Sequence, residues 1–382
     1  MTATPDRRLG VLMLAAAAGT NVPTPLLLVY RDELDMTDQS LTAIFGVYAL
    51  GLMIALAVAG QAADRWGRRR VVLPAALGSG LASLFFILAQ DSEGLLYLAR
   101  FLQGAVSGTV FSVGSAWLVE SAARRGSTAG PRVAAVTMTG GFAIGPAVAG
   151  VIGEWGPWPL VLPYLLHVAA LALAVVLAWT VEETLSRTRA EPHTVRPGAF
   201  RDGELRTFLL VIAPLAICVY AFPASAVGGL PVLIGFPVAP VALTGLLAGL
   251  TLGAGALAAP LQGRLGERTA PIAALCGVIG FGGSALAASV PSLLLLAVPA
   301  SVVLGAGGGL ALAASLARLP AVASDGRLGS VSSALYAVAY IGFGFPLLLA
   351  ALSEQVPTAA LLAGLAVVCT GLAVQQAAHA RR

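Results

Sequence analysis

Lysine is absent from this chain of 382 residues, and charged residues of all kinds make up only 10% of it. Soluble domains usually have about a quarter of their residues charged. Hydrophobic residues reach 58%, and the mean hydropathy is +0.89. This composition excludes an ordinary soluble protein and indicates a polytopic membrane protein.

Cysteine and histidine are also scarce, with three of each. The cysteines all fall inside apolar runs, which predicts buried thiols and no disulfide: Cys218, Cys276 and Cys369. Two histidines, His193 and His379, lie in polar segments, and His167 stands alone in an apolar run, where we expect it to pack. No catalytic constellation is visible, so we expect no enzyme, no cofactor and no metal site.

Twelve apolar runs are each long enough to cross the ~30 Å hydrocarbon layer as a helix. No Asp or Glu occupies the middle third of any of them. The runs cover about 9–30, 41–62, 71–90, 95–119, 133–153, 158–181, 207–230, 240–261, 271–289, 292–316, 329–352 and 357–378.

The arginines fix the predicted direction of these crossings. Of the 22, all but Arg31 and Arg100 fall in every second gap between the runs or at the termini. Because cytoplasmic loops keep basic residues, both termini are predicted to be cytoplasmic in the cell inner membrane. The net charge of +4 is divided among seven short segments, so we expect no nucleic-acid partner.

One long polar segment, 182–204, divides the chain. We predict an N-terminal six-helix bundle over 1–181, a cytoplasmic linker over 182–204 and a C-terminal six-helix bundle over 205–382. A sequence echo supports duplication into parallel repeats, because the string from Asp64 to Arg69 returns 199 residues later as Gly263 to Arg268.

The string 60–70 combines glycines, one carboxylate and four arginines after the second run. Gly60 and Gly67 permit a tight reversal, and Asp64 is placed where it could meet the N-terminus of another helix. The arginines of the string anchor it at the cytoplasmic face: Arg65, Arg68, Arg69 and Arg70.

A second string places Arg100 inside the fourth run, with Gln103 and Ser107 on the following turns. An arginine in hydrocarbon costs ~2.5–3.5 kcal/mol on insertion scales, so it usually faces a wet cavity or a polar partner. The alternative is that Arg100 snorkels to the outer surface.

A third string, in the fifth run, contains Gly141, Gly145, Pro146 and Gly150. Small residues let helices approach closely, and proline removes a backbone hydrogen bond and bends the helix. Ordinary small-residue packing is an alternative reading, since the chain has 45 glycines.

These three strings resemble signatures of the major facilitator superfamily, and the resemblance extends over the whole chain. It implies an all-α integral membrane fold of twelve transmembrane helices in two pseudo-twofold six-helix bundles. It also implies a conformational latch in which Asp64 caps the eleventh helix near Ser330 to Ser333. An arginine of the 60–70 string would then pair with Glu120, next to Arg124. The second copy has Gly263 in place of the aspartate, which leaves a mirror-image latch open.

The fourth-helix string resembles a family motif associated with proton movement, which makes Arg100 and Gln103 the leading polar cavity residues. Pro23 and Pro25 break the first run, and broken helices point to a carrier's binding site. Other polar and aromatic residues near the expected midplane complete the candidate cavity: Thr20, Asn21, Tyr48, Ser107, Tyr220, Tyr336 and Tyr340. One cation without a carboxylate suits a neutral or weakly anionic amphipathic substrate.

The resemblance implies a monomeric secondary transporter in the lipid bilayer that works by alternating access on a small-molecule substrate. The fifth-helix string is similar to one found chiefly in exporters that exchange protons for drugs, although Ala149 replaces one of its glycines. We therefore expect proton-coupled efflux of hydrophobic or amphipathic molecules, with Asp32, Glu33, Arg100 or Glu120 as coupling residue. Uptake or facilitated diffusion of a neutral metabolite such as a sugar is the alternative, and a non-transporting sensor of the same fold is a second.

Overall fold

The computed structural model describes residues 4–184, 200, 204–324 and 328–381. Within these ranges helices, joined by turns and short loops, are the regular secondary structure, and one isolated antiparallel bridge joins Phe200 to Ala323. Ten of the described helices are long and apolar enough to cross a membrane. The predicted all-α membrane class is therefore confirmed, and the number of crossings stays a prediction.

The helices of the N-terminal half follow the predicted runs to within a few residues. They are α1 (Pro5–Asn21), α2 (Pro23–Leu34), α3 (Asp38–Trp66), α4 (Arg68–Leu88), α5 (Glu93–Ala123), α6 (Gly130–Trp155) and α7 (Leu162–Ala178). The first predicted run, about 9–30, is divided between α1 and α2, which together span Pro5–Leu34. With 17 residues α7 is about 26 Å long, slightly less than the hydrocarbon thickness.

The helices of the C-terminal half are less regular. They are α8 (Glu204–Ile234), α9 (Pro240–Ala258), α10 (Thr269–Ser289), α11 (Pro291–Val322), α12 (Ser330–Ser353) and α13 (Thr358–Ala380). Two π-helical turns, Phe208–Ile212 and Ser225–Gly229, interrupt α8. Two 3₁₀ turns join α9 to α10, so the eighth and ninth predicted runs form one helical stretch of 50 residues, Pro240–Ser289.

Local sequence explains where several helices begin and end. Thr37 caps α3, because its hydroxyl accepts the Ser40 N–H at 3.1 Å, and Ser92 caps α5 in the same way through the Leu95 N–H at 3.4 Å. Gly67 ends α3 at a φ of +101°, a left-handed conformation that favours glycine. The reversal between α3 and α4 thus needs one residue.

The described residues group into two compact units. The first unit contains those within 1–191 together with Val238–Gly249, and the second contains those within 192–237 and 250–382. The first half of α9 therefore groups with the N-terminal unit, whereas the sequence division assigned all of α9 to the C-terminal bundle. Most of the predicted linker 182–204 lies outside the described residues.

Each unit has its own apolar core of mostly small and aliphatic side chains. Because lipid is as apolar as leucine, such helices associate through close packing rather than through removal of apolar surface from water. An exposed apolar stripe along α4 fits a surface in contact with hydrocarbon: Leu77, Leu81, Leu84 and Leu88. The cysteines are free thiols, and Cys276 is half-buried, where we expected all three to be buried.

Candidate functional site

The break between α1 and α2 is repaired by a glutamine from α5. In a continuous helix the N–H of residue 23 would bond the Gly19 carbonyl, but residue 23 is proline and has no N–H. Gln103 Nε2 donates to that carbonyl at 2.8 Å. Because Gln103 is fully buried, this bond fixes the broken helix against α5.

Arg100 completes the same polar cluster. Its Nη1 donates to the Thr20 carbonyl at 2.8 Å and to Gln103 Oε1 at 2.6 Å. The guanidinium also lies 4.8 Å from the ring centre of Tyr48 and 5.6 Å from that of Phe45, within cation–π range. With 1% of its surface exposed, Arg100 does not reach the outer surface.

The charge of Arg100 is balanced by dipoles. Within the described residues the guanidinium contacts carbonyl, amide and aromatic groups and no carboxylate, and its Nε is buried without a hydrogen-bond partner. Thr20 extends the cluster, because its hydroxyl lies 3.2 Å from the Ser107 hydroxyl. The structure thus brings together five of the predicted cavity residues: Thr20, Tyr48, Arg100, Gln103 and Ser107.

His167 packs against Gly19, the residue of α1 that Gln103 also contacts. Its Nδ1 lies 2.8 Å from the Ser83 hydroxyl of α4, and its ring packs directly on Gly19. A methyl group at Gly19 would come within 2.1 Å of His167 Nε2. His167 and the glutamine side chain of Gln103 therefore hold the same residue of α1.

The fifth-helix glycines make backbone contacts. An added Cβ would lie 2.4 Å from the Leu14 carbonyl oxygen at Gly141, 2.0 Å from the Ala18 oxygen at Gly145 and 2.7 Å from the Val241 oxygen at Gly150. The α6 backbone therefore touches both α1 and the first half of α9. Glu154 strengthens the second contact, because its Oε2 accepts the N–H groups of Val241 and Ala242 at the start of α9.

The 60–70 string forms an ion-pair network at the arginine-rich end of the first unit. Arg68 lies 2.7 Å from Asp64 and 3.3 Å from Glu120. Thr184 adds a hydroxyl bond of 2.5 Å to the second oxygen of Glu120. Capping of the eleventh helix by Asp64 stays a prediction.

Glu183 is the member of this network that sequence reasoning missed. Its carboxylate accepts the backbone N–H groups of Arg68 at 2.9 Å, Arg69 at 3.0 Å and Thr184 at 2.9 Å. Arg124 donates to the carbonyls of Glu183 and Thr184. The first residues of the predicted linker are therefore part of the loop network, and Gly67 packs on the Glu183 carboxylate where a Cβ would lie 2.3 Å away.

Removing this cap should destabilise the protein. We expect Glu183→Ala to cost about 1–2 kcal/mol, because the first turn of α4 loses its acceptor, and to lower the unfolding temperature by a few degrees. Glu182→Ala is the matched control, since within the described residues the contact that Glu182 makes is through its carbonyl, which accepts the Trp117 Nε1–H at 2.9 Å. Thermal unfolding of both purified variants measures the difference, and equal unfolding temperatures would contradict the capping role.

Four predicted residues lie elsewhere. In the second unit Tyr220 stacks on Tyr340 with ring centres 4.8 Å apart, and Phe343 packs against Tyr220 at 4.8 Å. Tyr336 and Asn21 are half-buried in their own units. The predicted aromatic set is thus assembled only in part.

The second unit has an ion pair of reversed sign at the matching place. Glu267 and Arg318 lie 199 and 198 residues beyond Arg68 and Glu120, and their charged atoms are 3.7 Å apart. Arg318 also donates to Gln376 Oε1 at 2.5 Å, and Gln376 donates to the Val211 carbonyl at 2.9 Å. The second copy of the string thus has Gly263 in place of the aspartate, and its Glu267 pairs with Arg318 of α11 with the charges exchanged.

No group of three or more metal-ligating side chains comes together within residues 4–184, 200, 204–324 and 328–381. The site is built from amide, hydroxyl, guanidinium and aromatic groups. In proteins generally, a few polar groups in an apolar surrounding fix the orientation of a bound small molecule.

Comparisons with known proteins bear on the family and the fold of this chain. The family model described as Major Facilitator Superfamily matches residues 9–347. A multidrug resistance protein MdtL of Shewanella sp. (strain ANA-3) is 31% identical over 180 residues, 45% of this chain and 44% of the relative. The puromycin resistance protein pur8 of Streptomyces alboniger is 33% identical over 227 residues, 57% of this chain and 42% of the relative. The chain spans less than half the length of these two relatives.

Solved structures show the same fold at low sequence identity. The crystal structure of the nucleoside transporter NupG has a TM-score of 0.74 and 12% identity, covering 98% of this chain and 99% of the other. The structure of the POT family transporter PepTSo has a TM-score of 0.73 and 12% identity, covering 98% of both chains.

Proposed function

The chain belongs to the Major Facilitator Superfamily of membrane transporters, and we propose from this that it exports hydrophobic or amphipathic small molecules in exchange for protons. Because the family consists of transporters that bind small molecules in a membrane, the chain is a multi-pass carrier and not an enzyme. What we propose beyond this is the direction of transport, the class of substrate and the coupling to protons.

The packing of α6 is the observation that carries export. All three glycines predicted from the fifth-helix signature make backbone contacts, with α1 through Gly141 and Gly145 and with α9 through Gly150. If the glycines merely reflected the composition of the chain, they need not lie at each of these contacts. Gly140 of the same helix, for comparison, meets only a leucine side chain, at 3.8 Å. The signature resembles that of drug exporters, and two relatives named for drug resistance support the same direction.

The buried cluster around Arg100 supports the substrate class. Within the described residues Arg100 contacts no carboxylate, so no negative side chain neutralises its charge. This charge disfavours a second cation nearby. The ring of Tyr48 adds an aromatic surface beside the guanidinium. We therefore propose neutral or weakly anionic amphipathic substrates.

The proposed topology has twelve crossings with both termini in the cytoplasm, in the cytoplasmic membrane, in a monomer that works by alternating access. Counting Pro240–Ser289 as two crossings at its 3₁₀ turns and adding the shorter α7 brings ten candidate spans to twelve. The arginine pattern supports the direction.

Transport into everted membrane vesicles tests the proposal. Respiration acidifies the lumen of such vesicles, so an exporter that exchanges protons should accumulate an amphipathic fluorescent dye inside. Accumulation should collapse when an ionophore dissipates the pH gradient. Dye movement that is unaffected by the gradient would indicate facilitated diffusion, and accumulation only in right-side-out vesicles would indicate uptake; either contradicts the proposal.

A further inference from the structure

A basic pocket of about 690 Å³ opens beside the 60–70 loop of the first unit, outside the Arg100 cluster. Three arginines line it: Arg65, Arg69 and Arg70. The only carboxylate in its lining belongs to Glu183, which already accepts the backbone N–H groups of Arg68, Arg69 and Thr184. The pocket therefore has a net positive charge.

The arginines of the loop divide into two groups. Arg68 pairs with Asp64 and Glu120, so its charge is neutralised by carboxylates of the protein. Arg65 and Arg70 are exposed and Arg69 is half-buried, and within the described residues none of these three forms an ion pair. The guanidinium is the group best suited to hold a phosphate through paired hydrogen bonds.

Two exposed tryptophans place this pocket at the level of lipid headgroups. The Arg65 guanidinium lies 5.8 Å from the ring centre of Trp66, and that of Arg69 lies 5.8 Å from Trp179. More than half of each indole surface is exposed, 56% and 53%. Tryptophan with its ring at the surface of a spanning helix is typical of the membrane–water interface.

The rest of the lining is apolar and leads toward hydrocarbon. Leu73 and Pro74 form one wall, one turn into α4. The exposed leucines of the same helix continue from there, beginning at Leu77 and Leu81. A ligand with a negatively charged head and an apolar tail would match both the arginines and the apolar wall of the pocket.

We propose that this pocket binds the phosphate group of an anionic phospholipid of the cytoplasmic leaflet. The arginines would hold the phosphate, the indoles would flank the headgroup, and the acyl chains would follow the leucine stripe of α4. A free phosphate ion shares the charged part of this chemistry and lacks the apolar part. The inference does not depend on the direction of transport.

Competition between lipids tests the proposal on the full chain purified in neutral detergent. Native mass spectrometry would count bound dioleoyl phosphatidylglycerol against dioleoyl phosphatidylcholine. An arginine near an anionic headgroup is worth roughly fivefold in affinity, so Arg65→Gln/Arg69→Gln/Arg70→Gln should lose on the order of a hundredfold in preference for the anionic lipid. Arg132→Gln, an exposed arginine outside the pocket, should keep the preference.

Two further arms keep the outcome decisive. If the triple variant fails to fold, judged by its elution profile in phosphatidylcholine alone, Arg70→Gln replaces it, with an expected loss of about fivefold. Inorganic phosphate at millimolar concentration should displace little phosphatidylglycerol, and full displacement would assign the pocket to free phosphate. An unchanged lipid preference in the folded variants would overturn the proposal.

Discussion

Gly145→Ala is expected to lower the thermal unfolding temperature by roughly 5–10 °C. The added Cβ would lie 2.0 Å from the Ala18 carbonyl oxygen and 2.7 Å from both its carbonyl carbon and its Cα. These are backbone atoms, so no side chain can rotate to relieve the overlap. Overpacking of this kind costs ~1–3 kcal/mol or more, and each kcal/mol lowers the unfolding temperature by a few degrees.

Gly140→Ala is the control for this effect in the same helix. Its Cβ would meet only the Leu14 Cδ1 atom at 3.8 Å, an ordinary contact. We expect it to unfold within about 1 °C of the wild type, or slightly above, because alanine favours helix. If both variants unfold at the same temperature, α6 does not make the close backbone contact with α1.

Arg100→Ala is expected to reduce transport on the order of a hundredfold. The variant would leave the Thr20 carbonyl and Gln103 Oε1 without their donor, and each unsatisfied buried group costs ~1–3 kcal/mol. Gln103 would then be free to turn away from the Gly19 carbonyl, and the break between α1 and α2 would also lose this hydrogen bond from α5. Initial rates in everted vesicles, normalised to the amount of protein, measure the change.

Arg100→Lys should restore less than about a tenth of the wild-type rate. A lysine keeps the charge, but its compact ammonium lacks the planar guanidinium, whose centre lies 4.8 Å from the Tyr48 ring centre while Nη1 bonds both oxygens. Arg132→Ala controls for loss of a basic residue, because Arg132 is exposed. A lysine variant that transports at the wild-type rate would show that charge alone matters and that the geometry described for Arg100 does not.

Sequence patterns predicted the membrane class and the helices well, because hydrophobic length is read directly along the chain. The pairing of Gln103 with Gly19 could also have been predicted. Pro23 stands four residues after Gly19, so the Gly19 carbonyl lacks its helical i+4 donor and keeps only a long bond of 3.4 Å from the Val22 N–H beside that from Gln103. The same logic applies to Gln375, which bonds the Leu210 carbonyl at 2.8 Å four residues before Pro214.

Other features could not be obtained from the sequence. Glu183 opens a polar segment that looks like any solvated linker, and only the folded chain shows its carboxylate over the start of α4. The ion pair of Glu267 and Arg318 cannot be found from residue identity, because its charges stand in the opposite order to those of Arg68 and Glu120. Tyr336 shares a run with Tyr340, but side-chain direction decides which of them stacks on Tyr220.

Transport by the purified chain in proteoliposomes tests the central claim, proton-coupled export, most directly. An amphipathic dye would be added outside three sets of vesicles. Their interiors would be acidic, neutral or alkaline relative to a neutral exterior. Exchange predicts accumulation when the interior is acidic, because outward proton flow drives the dye inward, and no accumulation without a gradient. Accumulation with an alkaline interior would show cotransport with protons, and equal movement under all three conditions would show diffusion; both results would contradict the account.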